Sequence, residues 1–359
     1  MSFVDLPPEL LDIIFQPLAN ASLAALAKSC SSFTDVANRR LYRHLSLSSH
    51  THNLSAVRTL AERPYLSSLV HSFAISLNDA DVVLHGYYVM LAKVLQDMPE
   101  LMSLELLISP EASWILEKAT STPYPRLQHF TTSFMLDGNV AAFLLRTPQL
   151  LSLQISSTFS SSDIVEIPST AIPKLASYTG PASLLPTLFH SRPLTSLHLS
   201  GDLSLADIEH LAQGSRASSE SVATRSDDNG CELGKPRVEV LSAVTSTPPV
   251  IVLEALAKAC PSLVCLRVMT TCAFWEAPDL TFYTKIANTL TSLRQLSAFE
   301  LSGMHWESRP KPITSVTHDG PIVEKEWISP PVTPRVVEED LQHQAYDAEF
   351  AESFLEWAY

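Results

Sequence analysis

Apolar residues in the first part of the chain recur at helical spacing. In residues 5–18, which read DLPPELLDIIFQPL, large apolar side chains return every three or four positions, the period of a helix with one buried face. They are Leu10, Leu11, Ile14 and Leu18. Pro8 suits the first helical turn because its missing N–H would have no partner there, and Pro17 ends the helix. The pattern predicts a helix too short to be stable alone in water.

Two further short helices follow in residues 19–30 and 31–45. Their apolar stripes are Leu23, Leu26, Ala27 and Cys30, then Phe33, Val36, Ala37 and Leu41. Three such helices carry more large apolar side chains than they can bury among themselves. The surplus either packs on the rest of the chain or forms an exposed patch that awaits a partner.

A different pattern, a proline followed by Leu-x-x-Leu-x-Leu or a close variant, recurs through the middle of the chain. The copies begin at Pro99, Pro125, Pro148, Pro173, Pro193, Pro236 and Pro261, and a last copy at 291–296 lacks the proline. Residues 65–75 resemble a degenerate first copy. Successive prolines are 26, 23, 25, 20, 43 and 25 residues apart, and all but one of these intervals are near the roughly 20–29 residues of leucine-rich repeats.

Helical patterns lie between these copies, so each unit is predicted to be a strand followed by a helix. They occupy residues 82–98, 139–147, 182–190, 205–213 and 250–260. Such units bury their apolar faces by stacking. We therefore predict an α/β fold in which a small three-helix domain (residues 1–47) precedes a leucine-rich-repeat-like solenoid (48–306) that forms an open, uneven arc. The alternative is a compact α/β domain with coincidental leucines.

The polar strand positions of the repeats are candidates for a target-binding surface. Glu105, Gln154, His198 and Arg267 each stand one before the last repeat leucine or its equivalent. Side chains alternate between the two faces of a strand, so these four are expected to line the surface opposite the leucines. Their mixed charge indicates no single kind of ligand.

Three segments depart from the repeat pattern. Residues 213–236 are rich in serine, charge and glycine, which predicts a polar loop inserted between two repeats. Residues 307–337 are rich in proline and predict an extended linker. Residues 338–359 hold seven acidic residues and no Lys or Arg, and regain helical spacing. We favour a role for this acidic helical tail as a cap on the last repeat; it could also fold over the concave face or bind a basic partner.

Composition narrows the class of protein. A hydrophobic content of 46% supports a sizeable core, and a net charge of −14 disfavours nucleic acid as a partner because phosphate binding needs a basic face. The five cysteines, Cys30, Cys231, Cys260, Cys265 and Cys272, are odd in number and never spaced as CxxC, which indicates free thiols in a reducing compartment. No signal peptide or membrane span is recognisable. A cytoplasmic or nuclear location is expected.

No catalytic motif stands out. GxGxxG, Walker-type, GxSxG and HExxH patterns are absent, and the cysteines of residues 260–272 have no histidine at zinc spacing. Cys260 ends an apolar helical pattern, which favours a buried thiol. We therefore expect no enzyme activity, no metal and no cofactor.

The segment from Leu6 to Leu45 resembles an F-box, and with the repeats behind it the chain resembles a fungal-type F-box protein with irregular leucine-rich repeats. The similarity lies in Leu6-Pro7, Glu9, Ile14 and Leu18, in Leu23 and Leu26, in Cys30-Ser31-Ser32-Phe33 and in the ending Leu41-Tyr42-Arg43-His44-Leu45. Phe33 stands where the family usually has Trp, and Pro17 is less usual.

The resemblance implies docking onto the Skp-family adaptor of a cullin–RING ubiquitin ligase. The residues implied as contacts are Leu6, Pro7, Leu10, Ile14, Leu18, Leu23, Leu26, Cys30, Phe33 and Tyr42. The chain would then be a substrate receptor whose repeats hold a target protein. The alternatives are a repeat scaffold that does not assemble into a ligase, which Phe33 and Pro17 would favour, and an enzyme with a site split across repeats.

Overall fold

In a computed structural model of the chain, three short helices are followed by one long sheet. The structure describes residues 6–51, 53–78, 84–119, 123–156, 165, 167–168, 170–189, 192–220, 237–272, 280–310 and 325–328. Within these residues, the helices are α1 (Pro8–Phe15), α2 (Asn20–Ser29), α3 (Ser31–Arg43), α4 (Ala56–Glu62), α5 (Pro64–Ser67), α6 (His85–Gln96), α7 (Ile115–Ala119), α8 (Gly138–Leu144), α9 (Leu185–Phe189), α10 (Leu205–Glu220), α11 (Pro249–Ala259) and α12 (Leu280–Ser292).

The strands all belong to one sheet. They are β1 (His44–Ser48), β2 (Ser72–Ser76), β3 (Ser103–Leu107), β4 (His129–Thr132), β5 (Ser152–Ile155), β6 (Ser177–Pro181), β7 (Ser196–Asp202), β8 (Val240–Thr245), β9 (Cys265–Thr270), β10 (Ala298–Leu301), β11 (Met304–Pro310) and β12 (Lys325–Ile328). Among the described residues, no helix combines the length and the hydropathy needed to cross a membrane.

The first three helices confirm the predicted helical start. α1 begins at Pro8 with Glu9 in its first turn, and it ends at Phe15, just before the segment that contains Pro17. The three helices pack on one another through α1–α3 and α2–α3 contacts. We call α1–α3 the helical unit, and β1–β12 with their helices the sheet domain.

The sheet follows the order of the sequence from β1 to β12. Neighbouring strands are parallel from β1 to β10, whereas β10–β11 and β11–β12 are antiparallel. At least one helix links most neighbouring parallel strands, which confirms the predicted succession of strand and helix. The two ends of the sheet do not pair with each other, so the sheet is open.

The repeated leucines form the core between the sheet and its helices. Buried strand positions align across the sheet in register: Phe73, Leu104, Phe130, Leu153, Tyr178, Leu197, Leu241, Leu266 and Phe299 form one such row. Each has an exposed fraction of at most 2%. The core is one contiguous cluster that runs from Leu47 to Trp327, because each unit covers the apolar face of the next.

The structure departs from the sequence prediction in three segments. The helix predicted for 31–45 ends at Arg43, because residues 44–48 form β1. The loop predicted for 213–236 begins later, because α10 continues to Glu220; residues 221–236 lie outside the described residues. The linker predicted for 307–337 contributes the end of β11 and all of β12 to the sheet. The rest of that segment, and the acidic tail of 338–359, lie outside the described residues.

The antiparallel end of the sheet is made by a tight turn. Ser302 and Gly303 both have positive φ, at 47° and 81°, as a two-residue hairpin with matching twist requires. The hydroxyl oxygen of Ser302 accepts a hydrogen bond from the Thr270 N–H at 3.0 Å. Trp306 and Trp327, each 4% exposed, join the core on β11 and β12. These strands thus cover the last parallel unit. The sequence analysis predicts this capping role for the acidic tail.

Candidate functional site

The helical unit has a small core of its own. Its buried residues are Leu11, Phe15, Leu23, Phe33, Val36 and Ala37. The rings of Phe15 and Phe33 meet edge to face, with centroids 5.8 Å apart and planes at 78°, a favourable aromatic geometry. Phe33 is thus a core residue that anchors α1 on α3.

One side of α1 is apolar and exposed. Leu10 is 46% exposed, Ile13 64% and Ile14 40%, while Leu11 and Phe15 face the core. The sequence analysis placed Leu10, Leu11 and Ile14 on one face; the structure separates Leu11 from the other two. The sequence analysis also omitted Ile13. The i, i+3, i+4 spacing of Leu10, Ile13 and Ile14 is the signal that indicates a second apolar stripe. We call these three residues the α1 patch.

The other predicted adaptor contacts differ in their exposure and in the core that they contact. Pro7 is exposed at the start of α1, and Leu6, Leu18, Leu26 and Cys30 are partly buried at the edge of the helical core. Leu23 and Phe33 are buried, with exposed fractions of 4% and 7%. Tyr42 packs against the core of the sheet domain. The residues with a large exposed apolar surface are therefore those of the α1 patch.

The helical unit joins the sheet domain without a linker. Arg43 is the last residue of α3 and His44 the first of β1, and the His71 N–H donates to the Arg43 carbonyl at 2.9 Å. A guanidinium nitrogen of Arg40 (Nη2) donates to the Asp12 carbonyl at 2.8 Å, which ties α1 to α3. A surface on α1 thus has a fixed orientation relative to the sheet.

The face of the sheet opposite the core is polar. Glu105, Gln154, His198 and Arg267 lie on one row across it, in register with Thr131, Thr179 and Ser242. A second row, two residues earlier on each strand, contains Ser72, Ser103, His129, Ser152, Ser177 and Ser196. We call these the polar row and the serine row. The four residues named from sequence therefore share one surface, as predicted.

Charge on this face is sparse. The guanidinium of Arg267 lies 3.2 Å from the buried carboxylate of Glu300 (Nε to Oε1), without the alignment of a hydrogen bond. Burial lowers the pKa of His198, whose ring nitrogen lies 3.3 Å from the Ser196 hydroxyl. From β2 to β8 the two rows carry one carboxylate, that of Glu105, and no Lys or Arg. The face therefore offers mainly hydroxyl, amide and imidazole groups.

The described residues hold no group of three or more His, Cys, Asp or Glu side chains that could bind a metal ion. The Cys260 thiol is buried, as predicted, and its burial raises its pKa to about 12. A thiol that stays protonated is a poor nucleophile. Cys260 therefore has the surroundings of a core residue.

Comparison with known proteins agrees with the geometry of the helical unit. No curated protein matches the chain. Residues 3–48 match the family model of the F-box-like domain, and this range covers α1–α3 and β1. The chain therefore carries an F-box-like domain, formed by its helical unit and the first strand of its sheet.

Proposed function

We propose that this protein is the substrate-recognition subunit of a Skp–cullin–F-box ubiquitin ligase. F-box domains bind Skp-family adaptors, and the matched segment of this chain includes the α1 patch. That patch is the observation that carries the proposal. Exposed isoleucine and leucine side chains next to a completed small core favour a protein partner.

We further propose that the sheet domain is a leucine-rich-repeat solenoid and that its polar face binds the target. The sequential order of the parallel strands supports this assignment. The register of the polar row across successive strands supports one continuous binding surface. Such a receptor does no bond chemistry; it raises the effective concentration of a target lysine near the charged ubiquitin-conjugating enzyme.

The adaptor step is tested by co-purification with a Skp-family adaptor. The parent chain should bind, and the double variant Ile13→Glu, Ile14→Glu should lose binding because two charges would be buried in the interface. Ile251→Glu is the matched control, since Ile251 is 47% exposed on α11, far along the sheet. It should bind like the parent.

Two results would contradict the proposal. If the parent chain does not bind the adaptor, the helical unit serves only to cover the first strand of the sheet, and the alternative of a repeat scaffold outside a ligase takes its place. If the control loses binding as much as the double variant, the interaction does not involve the α1 patch. Circular dichroism of each variant separates lost binding from lost folding.

A further inference from the structure

A cleft lies where the helical unit meets the sheet domain. Its volume is about 320 Å³, and its charged and titratable lining residues are Asp12, Arg39, Arg40, Arg43, His71 and Glu100. The three arginines come from the last turns of α3, and His71 and Glu100 come from the first units of the sheet domain. None of its lining residues belongs to the α1 patch, the polar row or the serine row.

Asp12 orients two of the arginines. One of its carboxylate oxygens lies 3.1 Å from Arg39 Nη2 and the other 3.5 Å from Arg40 Nε. Arg40 also donates to the Asp12 carbonyl. These contacts hold the guanidinium groups before any ligand arrives, which lowers the entropic cost of binding.

The balance of charge in the cleft is positive. Glu100 is bound by Arg126 outside the cleft, and Asp12 is shared by two arginines. No carboxylate of the described residues forms an ion pair with Arg43. Burial, and after it the positive charge of Arg43, holds the pKa of His71 below its ordinary value. The imidazole is therefore neutral near pH 7, and the charge comes from guanidinium groups, in a chain whose net charge is −14.

We propose that this cleft binds a small phosphate anion. Guanidinium groups pair bidentately with phosphate and with carboxylate oxygens. The tetrahedral oxygens of a phosphate can reach guanidinium groups in several directions, whereas a carboxylate is planar and has two oxygens. Two carboxylates line the cleft. Glu100 is paired with Arg126 outside it, and Asp12 already uses both of its oxygens on Arg39 and Arg40. Arg43 and the free donors of Arg39 are left for the ligand.

A bound anion would stabilise the junction of the two parts of the molecule. Arg39 and Arg43 belong to α3, and the opposite wall of the cleft belongs to the sheet domain. An anion held there would screen the repulsion among the guanidinium groups and bridge the last turns of α3 to the opposite wall of the cleft. This role does not require adaptor binding.

Calorimetric titration of the full chain with inorganic pyrophosphate at constant ionic strength tests the proposal. We expect one site per chain. The variant Arg43→Gln should bind about tenfold more weakly, the loss typical of one charge-assisted hydrogen bond. Arg58→Gln is the matched control, because Arg58 is an exposed arginine paired with Glu62 on α4, and it should bind like the parent. Malonate, a dicarboxylate, should bind much more weakly than pyrophosphate.

The proposal fails if millimolar pyrophosphate gives no heat of binding with the folded parent chain. It fails equally if Arg43→Gln binds as tightly as the parent, or if Arg58→Gln loses as much affinity as Arg43→Gln, which would indicate diffuse attraction. Malonate binding as tight as that of pyrophosphate would refute the phosphate class. Arg39→Gln, which leaves Arg40 on Asp12, gives a second variant in case Arg43→Gln does not fold by circular dichroism.

Discussion

The helical unit and the sheet domain differ in how much of their apolar surface they bury. The helical unit buries six residues in a core of its own and leaves Leu10, Ile13 and Ile14 exposed on α1. The sheet domain buries one contiguous cluster from Leu47 to Trp327, and its exposed face consists mostly of serine, threonine and other uncharged polar side chains.

The difference follows from size and repetition. In a stack, each unit covers its neighbour, and a terminal hairpin covers the last unit, so the apolar faces are satisfied within the chain. Three short helices have too little interior for all their large side chains. Exposed apolar residues on the helical unit therefore favour a protein partner there, whereas the exposed face of the sheet offers polar groups for hydrogen bonding.

One buried charged residue of the sheet domain, Arg192, binds several backbone carbonyls. This arginine is 2% exposed, and its guanidinium donates to the carbonyls of Pro168, Ala171, Thr187 and Leu188 at 2.9–3.2 Å. Burial lowers its pKa to about 10, so it stays charged at neutral pH.

Arg192→Met would leave these carbonyls without their donor. We expect a loss of about 3 kcal/mol or more in the free energy of unfolding, because each orphaned buried acceptor carries a desolvation cost. Urea denaturation measures this loss. The exposed Arg294 provides the control, since Arg294→Met should change stability by less than about 0.5 kcal/mol. Equal effects of the two substitutions would show that Arg192 does not hold the sheet domain together.

A smaller but still large effect is expected at Gly180, near the end of β6. A Cβ there would lie 2.6 Å from the Tyr178 hydroxyl and 2.9 Å from the Ile155 carbonyl oxygen. Gly180→Ala must displace the buried tyrosine, which donates to the Pro181 carbonyl at 3.1 Å. We expect a loss of about 2 kcal/mol, as in other overpacked cores.

Thermal unfolding of Gly180→Ala beside Gly86→Ala tests this expectation. No atom lies within 4 Å of a Cβ added to Gly86, and this residue is in the first turn of α6. Gly86→Ala should be neutral or stabilising by up to about 1 kcal/mol. A neutral Gly180→Ala would mean that Tyr178 can move away at little cost.

Much of the fold could be predicted from sequence because the repeated phrase returns at nearly regular intervals. The leucines of the Pro-Leu-x-x-Leu-x-Leu phrases specify strand faces, and the prolines mark where helices end. The placement of Glu105, Gln154, His198 and Arg267 on one row followed from alternation along each strand. The register across the sheet places Thr131, Thr179 and Ser242 between them. Register depends on how strands pair, so it could not be predicted from the sequence of one strand.

The remainder depended on tertiary contacts. On α1, nearly every position from Leu10 to Phe15 is apolar, so spacing alone could not separate the buried Leu11 and Phe15 from the exposed Ile13. The end of β11 and all of β12 lie in a proline-rich segment with no clear period, and they pair with the sheet because the last parallel unit has an uncovered side. Similarly, the cleft of Arg39, Arg40 and Arg43 needs α3 to lie against the loop that precedes β2.

On the helical unit, the exposed and buried faces of α1 should respond differently to substitution. Ile13→Ser should change stability by no more than about 0.5 kcal/mol, because Ile13 is 64% exposed and the two residues have similar helix propensities. Leu11→Ala removes a buried side chain and should cost about 2 kcal/mol or more. Hydrogen exchange of the α1–α3 amides reports on this unit separately. A large loss for Ile13→Ser would mean that the chain itself covers the α1 patch.

The smallest effect is expected on the polar face, at His198. Burial lowers the pKa of this imidazole in the folded chain from its ordinary 6.5, so the unfolded chain binds the proton more readily. Stability therefore falls as the pH drops through about 6.5 and continues to fall until the folded chain also takes up the proton. Replacement by glutamine keeps a polar side chain but cannot titrate. His198→Gln should thus lose less thermal stability than the parent between about pH 7.5 and pH 5.5, near and below the histidine value. If both proteins lose the same amount, burial does not lower the pKa of His198 in the folded chain, and the polar row at β7 is open to water.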